Sequence, residues 1–140
     1  MIKLSKRLQA VHDMVPKSLV ADIGADHGKL IISLFEDGII SYGFAVENKK
    51  GPYERLVKAI EDNNLSNYIT PIFSSGIKDI PKTVNTLVIA GMGGNNVIDI
   101  LKADVEKLIN VTTIIVDAHS AVPKMREEVC KLGYIIADEK

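Results

Sequence analysis

Several short segments of this chain are apolar almost without interruption: Ser18–Ile23, Ile69–Phe73, Thr86–Ala90 and Thr112–Asp117. A strand with one solvated face alternates apolar and polar residues, so such runs need cover on both faces, and helices packed on both sides of a parallel sheet provide it. The intervening segments have helical spacing. Leu4, Leu8, Val11 and Met14 or Val15 precede Pro16, and an apolar stretch from Lys29 to Phe35 stops at Asp37-Gly38. Gly51-Pro52 opens a helix that runs through Asn63, and two more helices are predicted from Asn95 to about Leu108 and from Val122 to Leu132. With Tyr42–Glu47 as second strand and Tyr134–Asp138 as a sixth, the pattern predicts a doubly wound α/β fold with a mainly parallel sheet.

A chain of 140 residues is the size of one domain, and residues 1–140 are read as a single unit. Lys+Arg number 17 against 18 Asp+Glu, a formal net charge of −1, so no global positive field holds nucleic acid and any such contact needs a local patch. No apolar run approaches the roughly 20 residues that span a bilayer, and no signal-peptide core follows the N-terminus. Cys130 is the single cysteine, which excludes an internal disulfide. These features predict a cytoplasmic protein.

In a doubly wound sheet, ligands lie beyond the carboxyl ends of the strands. The first strand runs into Asp22-Ile-Gly24-Ala-Asp26-His27-Gly28. A dinucleotide fingerprint, G-x-G-x-x-G, needs a second glycine where Asp26 stands. A carboxylate there repels a pyrophosphate and attracts a sulfonium or ammonium, which suits S-adenosylmethionine better than NAD or FAD. The alternative is that Asp26 only caps the following helix. Glu47 ends the second strand, where an acid hydrogen-bonds ribose hydroxyls. After the fourth strand, Gly91-Met92-Gly93-Gly94 leaves backbone bare enough for close approach to a ligand, with Asn95 or Asn96 as helix cap. Here the alternative is a flexible turn with Met92 as core filler. Asp117 and His119, paired with Asp26 and His27, leave open a metal or acid–base hydrolase, although no H-E-x-x-H, G-x-S-x-G or clustered-cysteine motif accompanies them. His12 is expected on the surface or as a cap, and Cys130 in the core.

The segments Leu4–Val11, Met14–Pro16, Ala21–His27, Glu47–Tyr53, Val88–Gly94 and Arg126–Tyr134 together resemble the bacterial S-adenosylmethionine-dependent tRNA methyltransferases that modify N1 of adenine 22. The resemblance covers nearly the whole chain and implies a Rossmann-like class I methyltransferase domain without the family's last sheet strand and C-terminal helical domain. It places Asp22, Gly24, Asp26 and His27 around the methionine moiety and Glu47 at the ribose. Asn48, Gly76, Gly91, Met92 and Gly93 join the cofactor set, and Gly91–Gly94 form the rim between cofactor and target base. The catalytic candidates are Asp26, His27, Gly91 and Met92. Ser74-Ser75-Gly76 stands where the family commonly has Gly-Asp-Gly, and Asp117-Ala118-His119 where it has Gln-Pro-Asn.

The implied reaction is in-line displacement at a methyl carbon by a ring nitrogen, in which positioning supplies much of the acceleration. N1 lies on the Watson–Crick edge, so a paired adenine must be exposed first. Lys3, Lys6 and Arg7 with Lys49, Lys50 and Arg55 are candidates to contact tRNA phosphates. No DNA or membrane partner and no metal is expected. A non-catalytic nucleotide- or cofactor-binding module is the alternative from another functional class.

Overall fold

The structure, a computed structural model, describes residues 3–135. Helix α1 (Lys6–Met14) opens with the Ser5 hydroxyl accepting from the Leu8 N–H at 3.2 Å, and Pro16 follows its end. Then come β1 (Val20–Ile23), α2 (Lys29–Glu36), β2 (Gly43–Glu47), α3 (Lys50–Asp62), β3 (Ile69–Phe73), β4 (Thr86–Met92), α4 (Gly94–Ala103), β5 (Thr113–Ala118) and α5 (Val122–Lys131). The five strands form one sheet in the order β3-β2-β1-β4-β5, every pairing parallel. The chain winds outward from β1 to β3 and then returns to lay β4 against the other side of β1. This doubly wound topology has its switch point between β1 and β4, where α/β proteins bind ligands.

The two-residue period of the strands divides the core. Val20, Ala45, Ile69, Val88 and Ile115 pack with Leu30, Leu34, Leu56 and Val11 under α1, α2 and α3. Ala21, Ile23, Val46, Leu87 and Ile89 pack against Val97 and Leu101 of α4, with Met125 and Val129 of α5 at the margin. Asp22 therefore occupies a position in β1 from which its neighbours at Val20 and Ala45 bury apolar side chains.

Several boundaries differ from the sequence reading. β4 continues through Gly91 to Met92, its pairing with β5 interrupted by an irregularity between Ala90 and Met92, and Gly91 has φ +79°. The Gly-Met stretch is thus the end of a bulged strand, and glycine supplies the conformation. The next helix starts at Gly94 with Gly93 as its cap, so neither Asn95 nor Asn96 caps it. It ends at Ala103, and a separate 3₁₀ turn covers Val105–Leu108. His12 is not a surface residue: it is 8% exposed, and its Nε2 lies 2.8 Å from Asp37 Oδ2, tying α1 to the end of α2. Cys130 is exposed and not in the core, because α5 covers only the margin of the sheet. Of the expected sixth strand, Tyr134 and Ile135 are not in a strand and residues 136–138 lie outside the described residues. Tyr134 instead donates its hydroxyl to the Val111 carbonyl at 2.8 Å. Among the described residues no helix is long and apolar enough to cross a membrane.

Candidate active site

Two cavities open at the carboxyl edge of the sheet on either side of the β1 loop, of about 330 Å³ and about 370 Å³. Each is at the small end of the range for ligand sites, and both are lined by Gly24. Gly24 has φ +80°, a left-handed conformation that favours glycine, and a Cβ there would lie 2.9 Å from Met92 Cε, the movable end of a flexible side chain. Its N–H and that of Ala25 both donate to the Val46 carbonyl, at 2.9 and 3.1 Å, folding the loop over the end of β2.

The first cavity brings together Asp22, Asp26, His27, Gly91, Asp117 and His119, with Ser5, Arg7 and Leu8 arriving from the start of the chain. The second contains Glu47, Asn48, Ser75, Gly76, Met92 and Asp99. All the sequence-selected cofactor residues except Gly93 line one or the other. A Cβ at Gly93 would meet Ser120 Oγ at 2.9 Å, so its smallness serves packing against the β5–α5 loop. Met92 is half-buried, lines the second cavity and also touches the core, which joins the two roles considered for it. Lys29, Ser5 and Leu8 in the first cavity and Asn96 and Asp99 in the second were not singled out. Asn96 and Asp99 are three apart in the first turns of α4, a spacing that sets two polar side chains on one helix face.

The structure relocates the site's negative charge. Asp26 does not cap α2, whose cap is Gly28 without any side-chain hydrogen bond. Its carboxylate accepts from Arg55 Nη2 at 3.1 Å and Nε at 3.3 Å, and both partners are about half exposed. Arg55 is thereby committed within the protein, in an ion pair of small energetic weight. Two further acids lie deeper. Glu47 is 8% exposed, and its Oε2 accepts the Asp26 N–H at 2.6 Å, leaving Oε1 for the second cavity. Asp22 is 4% exposed, and its pKa is pushed up from 3.8 to about 7 by burial and then by the Glu47 carboxylate. It stands ready to ionise fully beside a cation.

Arg7 is also committed: it donates to Asp117 Oδ1 at 3.0 Å. Among the expected phosphate contacts, Lys3, Lys6, Lys49 and Lys50 remain exposed, Lys50 lying 3.9 Å from Glu54. The Asp26/His27 and Asp117/His119 pairs share the first cavity, but among the described residues no group of three or more His, Cys, Asp or Glu side chains is placed to hold a metal ion. Two cavities that share Gly24, with a buried acid lining each, fit a nucleoside joined to a cationic tail.

Comparison with known proteins gives this geometry a context. A curated relative, the tRNA (adenine(22)-N(1))-methyltransferase of Bacillus subtilis (strain 168), is 33% identical over 140 residues, which is 99% of this chain and 59% of the relative. The crystal structure of the B. subtilis m1A22 tRNA methyltransferase superposes with a TM-score of 0.92 at 31% identity, covering 99% of this chain and 60% of the other. Streptococcus pneumoniae Sp1610 in complex with S-adenosyl-L-methionine superposes at 0.91 with 34% identity, covering 98% and 65%. The chain thus spans about three fifths of the length of these relatives. A family model described as a methyltransferase domain matches residues 4–140, and the chain belongs to that family.

Proposed function

We propose that this chain is the catalytic domain of an S-adenosylmethionine-dependent methyltransferase that acts on N1 of adenine in tRNA, in the cytoplasm. The observation that carries the reading is the meeting of two cavities at Gly24, with Glu47 buried at one and Asp22 at the other. S-adenosyl-L-methionine bound to a relative that superposes at a TM-score of 0.91 supports the cofactor, and the B. subtilis relatives support the nucleotide.

In this reading Glu47 accepts hydrogen bonds from ribose hydroxyls in the second cavity, between Asn48 and Gly76. Asp22 faces the charged tail in the first cavity. The cofactor supplies a methyl carbon on a sulfonium, whose C–S electron pair goes to sulfur as the N1 lone pair forms the new C–N bond. The protein's own work is to align the two reactants and exclude water, which the bare backbone at Gly24 and Gly91 permits at short range. Exposed Lys3, Lys6, Lys49 and Lys50 contact phosphates, while Arg7 and Arg55 are held by Asp117 and Asp26. With only these lysines in the two clusters and a net charge of −1, tRNA affinity should be modest and should fall with salt.

S-adenosylmethionine at about 100 times its dissociation constant should stabilise the fold by roughly 2.7 kcal/mol, and NADH should not. Thermal melts with each ligand check this; a shift with NADH alone overturns the cofactor. Glu47→Ala should weaken cofactor binding by roughly 10- to 150-fold, the value of a charge-assisted hydrogen bond. Glu47→Gln should lose less, because it keeps an acceptor for the Asp26 N–H. Calorimetric titration of both variants reads the difference, and equal affinities across wild type and variants would remove Glu47 from the site. Mass-spectrometric detection of N1-methyladenosine in unmodified tRNA incubated with the protein tests the reaction. Cofactor binding with no methyl transfer would instead favour the binding-module reading.

A further inference from the structure

The first cavity holds a side-chain arrangement that cofactor binding does not use. Arg7, from α1, reaches the end of β5 and places one nitrogen, Nη2, 3.0 Å from Asp117 Oδ1 and 3.2 Å from His119 Nδ1. A guanidinium only donates hydrogen bonds, so His119 Nδ1 must accept. The imidazole is therefore neutral, with its proton on Nε2. That nitrogen lies 3.9 Å from where a Cβ on Gly91 would sit, so the N–H edge looks over the bare backbone at the end of β4. The His119 main chain is fixed there by its own N–H, which donates to the Met92 carbonyl at 2.8 Å. Asp117, whose side chain is 25% exposed, keeps Oδ2 clear of Arg7. One guanidinium thus holds two side chains that line the first cavity, leaving Asp117 Oδ2 as an acceptor and His119 Nε2–H as a donor.

We propose that Asp117 and His119 read the Hoogsteen edge of the target adenine, Asp117 accepting from N6–H and His119 donating to N7, with Arg7 as the positioning residue that fixes both. The assignment rests on the functional reading above and specifies how that site chooses its base. Transfer to N1 requires that the N1 lone pair be left free, so recognition has to use the other edge of the ring. Adenine presents there an N6 donor beside an N7 acceptor, which is the complement of this pair. Guanine presents O6 in place of the amino group, and an acceptor facing the Asp117 carboxylate is rejected. The negative charge on Asp117 also lies where the purine becomes cationic as methyl transfer proceeds, so the same contact strengthens in the transition state.

The test has a structural and a kinetic arm. Long-range ¹H–¹⁵N correlation spectra of the histidine side chains should show His119 as the Nε2–H tautomer in the wild type and as a tautomer mixture in Arg7→Ala. For the kinetic arm, RNA acceptors carrying adenine, 7-deazaadenine, purine lacking the amino group, or guanine at the target position are compared in kcat/KM. Wild type, Asp117→Ala, Asp117→Asn and His119→Ala are used, each first shown to be folded by its cofactor titration. Loss of N7 should slow the wild type by about tenfold and have no further effect in His119→Ala; loss of the amino group should behave likewise in Asp117→Ala. Asp117→Asn, which retains an acceptor, should keep preference for the amino group while losing kcat. Additive losses, a His119 proton on Nδ1, or variants as active and selective as wild type would overturn the base-reading role while leaving the methyltransferase reading intact. Failure of the wild type to bind S-adenosylmethionine or to methylate any acceptor would instead overturn the functional reading, and this assignment with it.

Discussion

Asp22→Asn should weaken S-adenosylmethionine binding by about 100-fold and yet make the ligand-free protein more stable at pH 8. The two effects share one cause. The Asp22 carboxyl titrates near pH 7 in the folded protein and near 3.8 when unfolded, because burial and the Glu47 carboxylate both disfavour its charge. Between those values the folded state holds a proton that the unfolded state has released. The favourable contribution of this group is complete below pH 3.8 and is lost as pH rises to about 7, by up to ~4 kcal/mol. An asparagine has no charge to desolvate, so its advantage over aspartate should be near zero below pH 3.8, about 2 kcal/mol at pH 5 and larger by roughly 2–3 kcal/mol at pH 8, less about 1–3 kcal/mol at every pH for any hydrogen bond its amide leaves unmade. Denaturant titrations of both proteins at the two pH values measure this difference. A gap that does not change with pH would remove the buried charge as its source. In the wild type, a bound cation should pull the Asp22 pKa down and release a proton near pH 7. Cofactor affinity should then fall on acidification, by up to tenfold for each pH unit below that of the free site. Calorimetry in buffers of different ionisation enthalpy detects the proton directly.

Gly94→Ala should destabilise the fold by roughly 3–5 kcal/mol, beyond the usual range for a small overpacking change. The backbone of Gly94 is helical, where conformational preference favours alanine, so the loss comes from space and outweighs that gain. An added Cβ would stand 2.5 Å from the Ser120 carbonyl oxygen and 2.7 Å from that of Ala121, both main-chain atoms. That loop cannot swing away cheaply, because the Gly94 N–H donates to Ser120 O at 2.7 Å and the His119 N–H donates to Met92 O at 2.8 Å. For a chain of this length the midpoint of thermal unfolding should drop by roughly 10–15 °C. Gly38→Ala is the matched control. It has φ +74° with nothing within 4 Å of its Cβ, so it carries only the left-handed strain of about 1 kcal/mol. Similar midpoints for the two variants would show that the β5 loop yields. The collision also displaces His119, so a folded Gly94→Ala protein should bind cofactor better than it methylates.

The sheet and the positions of its loops were legible because both are written in local patterns. Uninterrupted apolar runs such as Thr86–Ala90 report burial on both faces, and in a parallel sheet the residues after each run share one edge. Asp22, Gly24, Glu47 and Gly91 lie close to the ends of such runs, and all four line the cavities. Local pattern also misled. Asn95 and Asn96 look like caps, but bulged β4 extends to Met92 and Gly93 takes that place. Cys130 has core spacing on a helix whose inner face covers only the sheet's margin.

The fold class, the sheet edge at which the cavities open and the acids and glycines found there can be read from the residues, since two- and 3.6-residue periods follow from backbone geometry within a few residues. Which of the charges are paired cannot, because it depends on how distant elements pack. Asp26, read as the discriminating acid, is met by Arg55 from α3, and Arg7 meets Asp117 across 110 positions of sequence. Among the described residues Asp22 has no such partner, and burial on a strand whose neighbours are apolar raises its pKa instead. Such pairings depend on how helices dock on the sheet, and the docking is set by the packing of two distant faces, which no local period encodes.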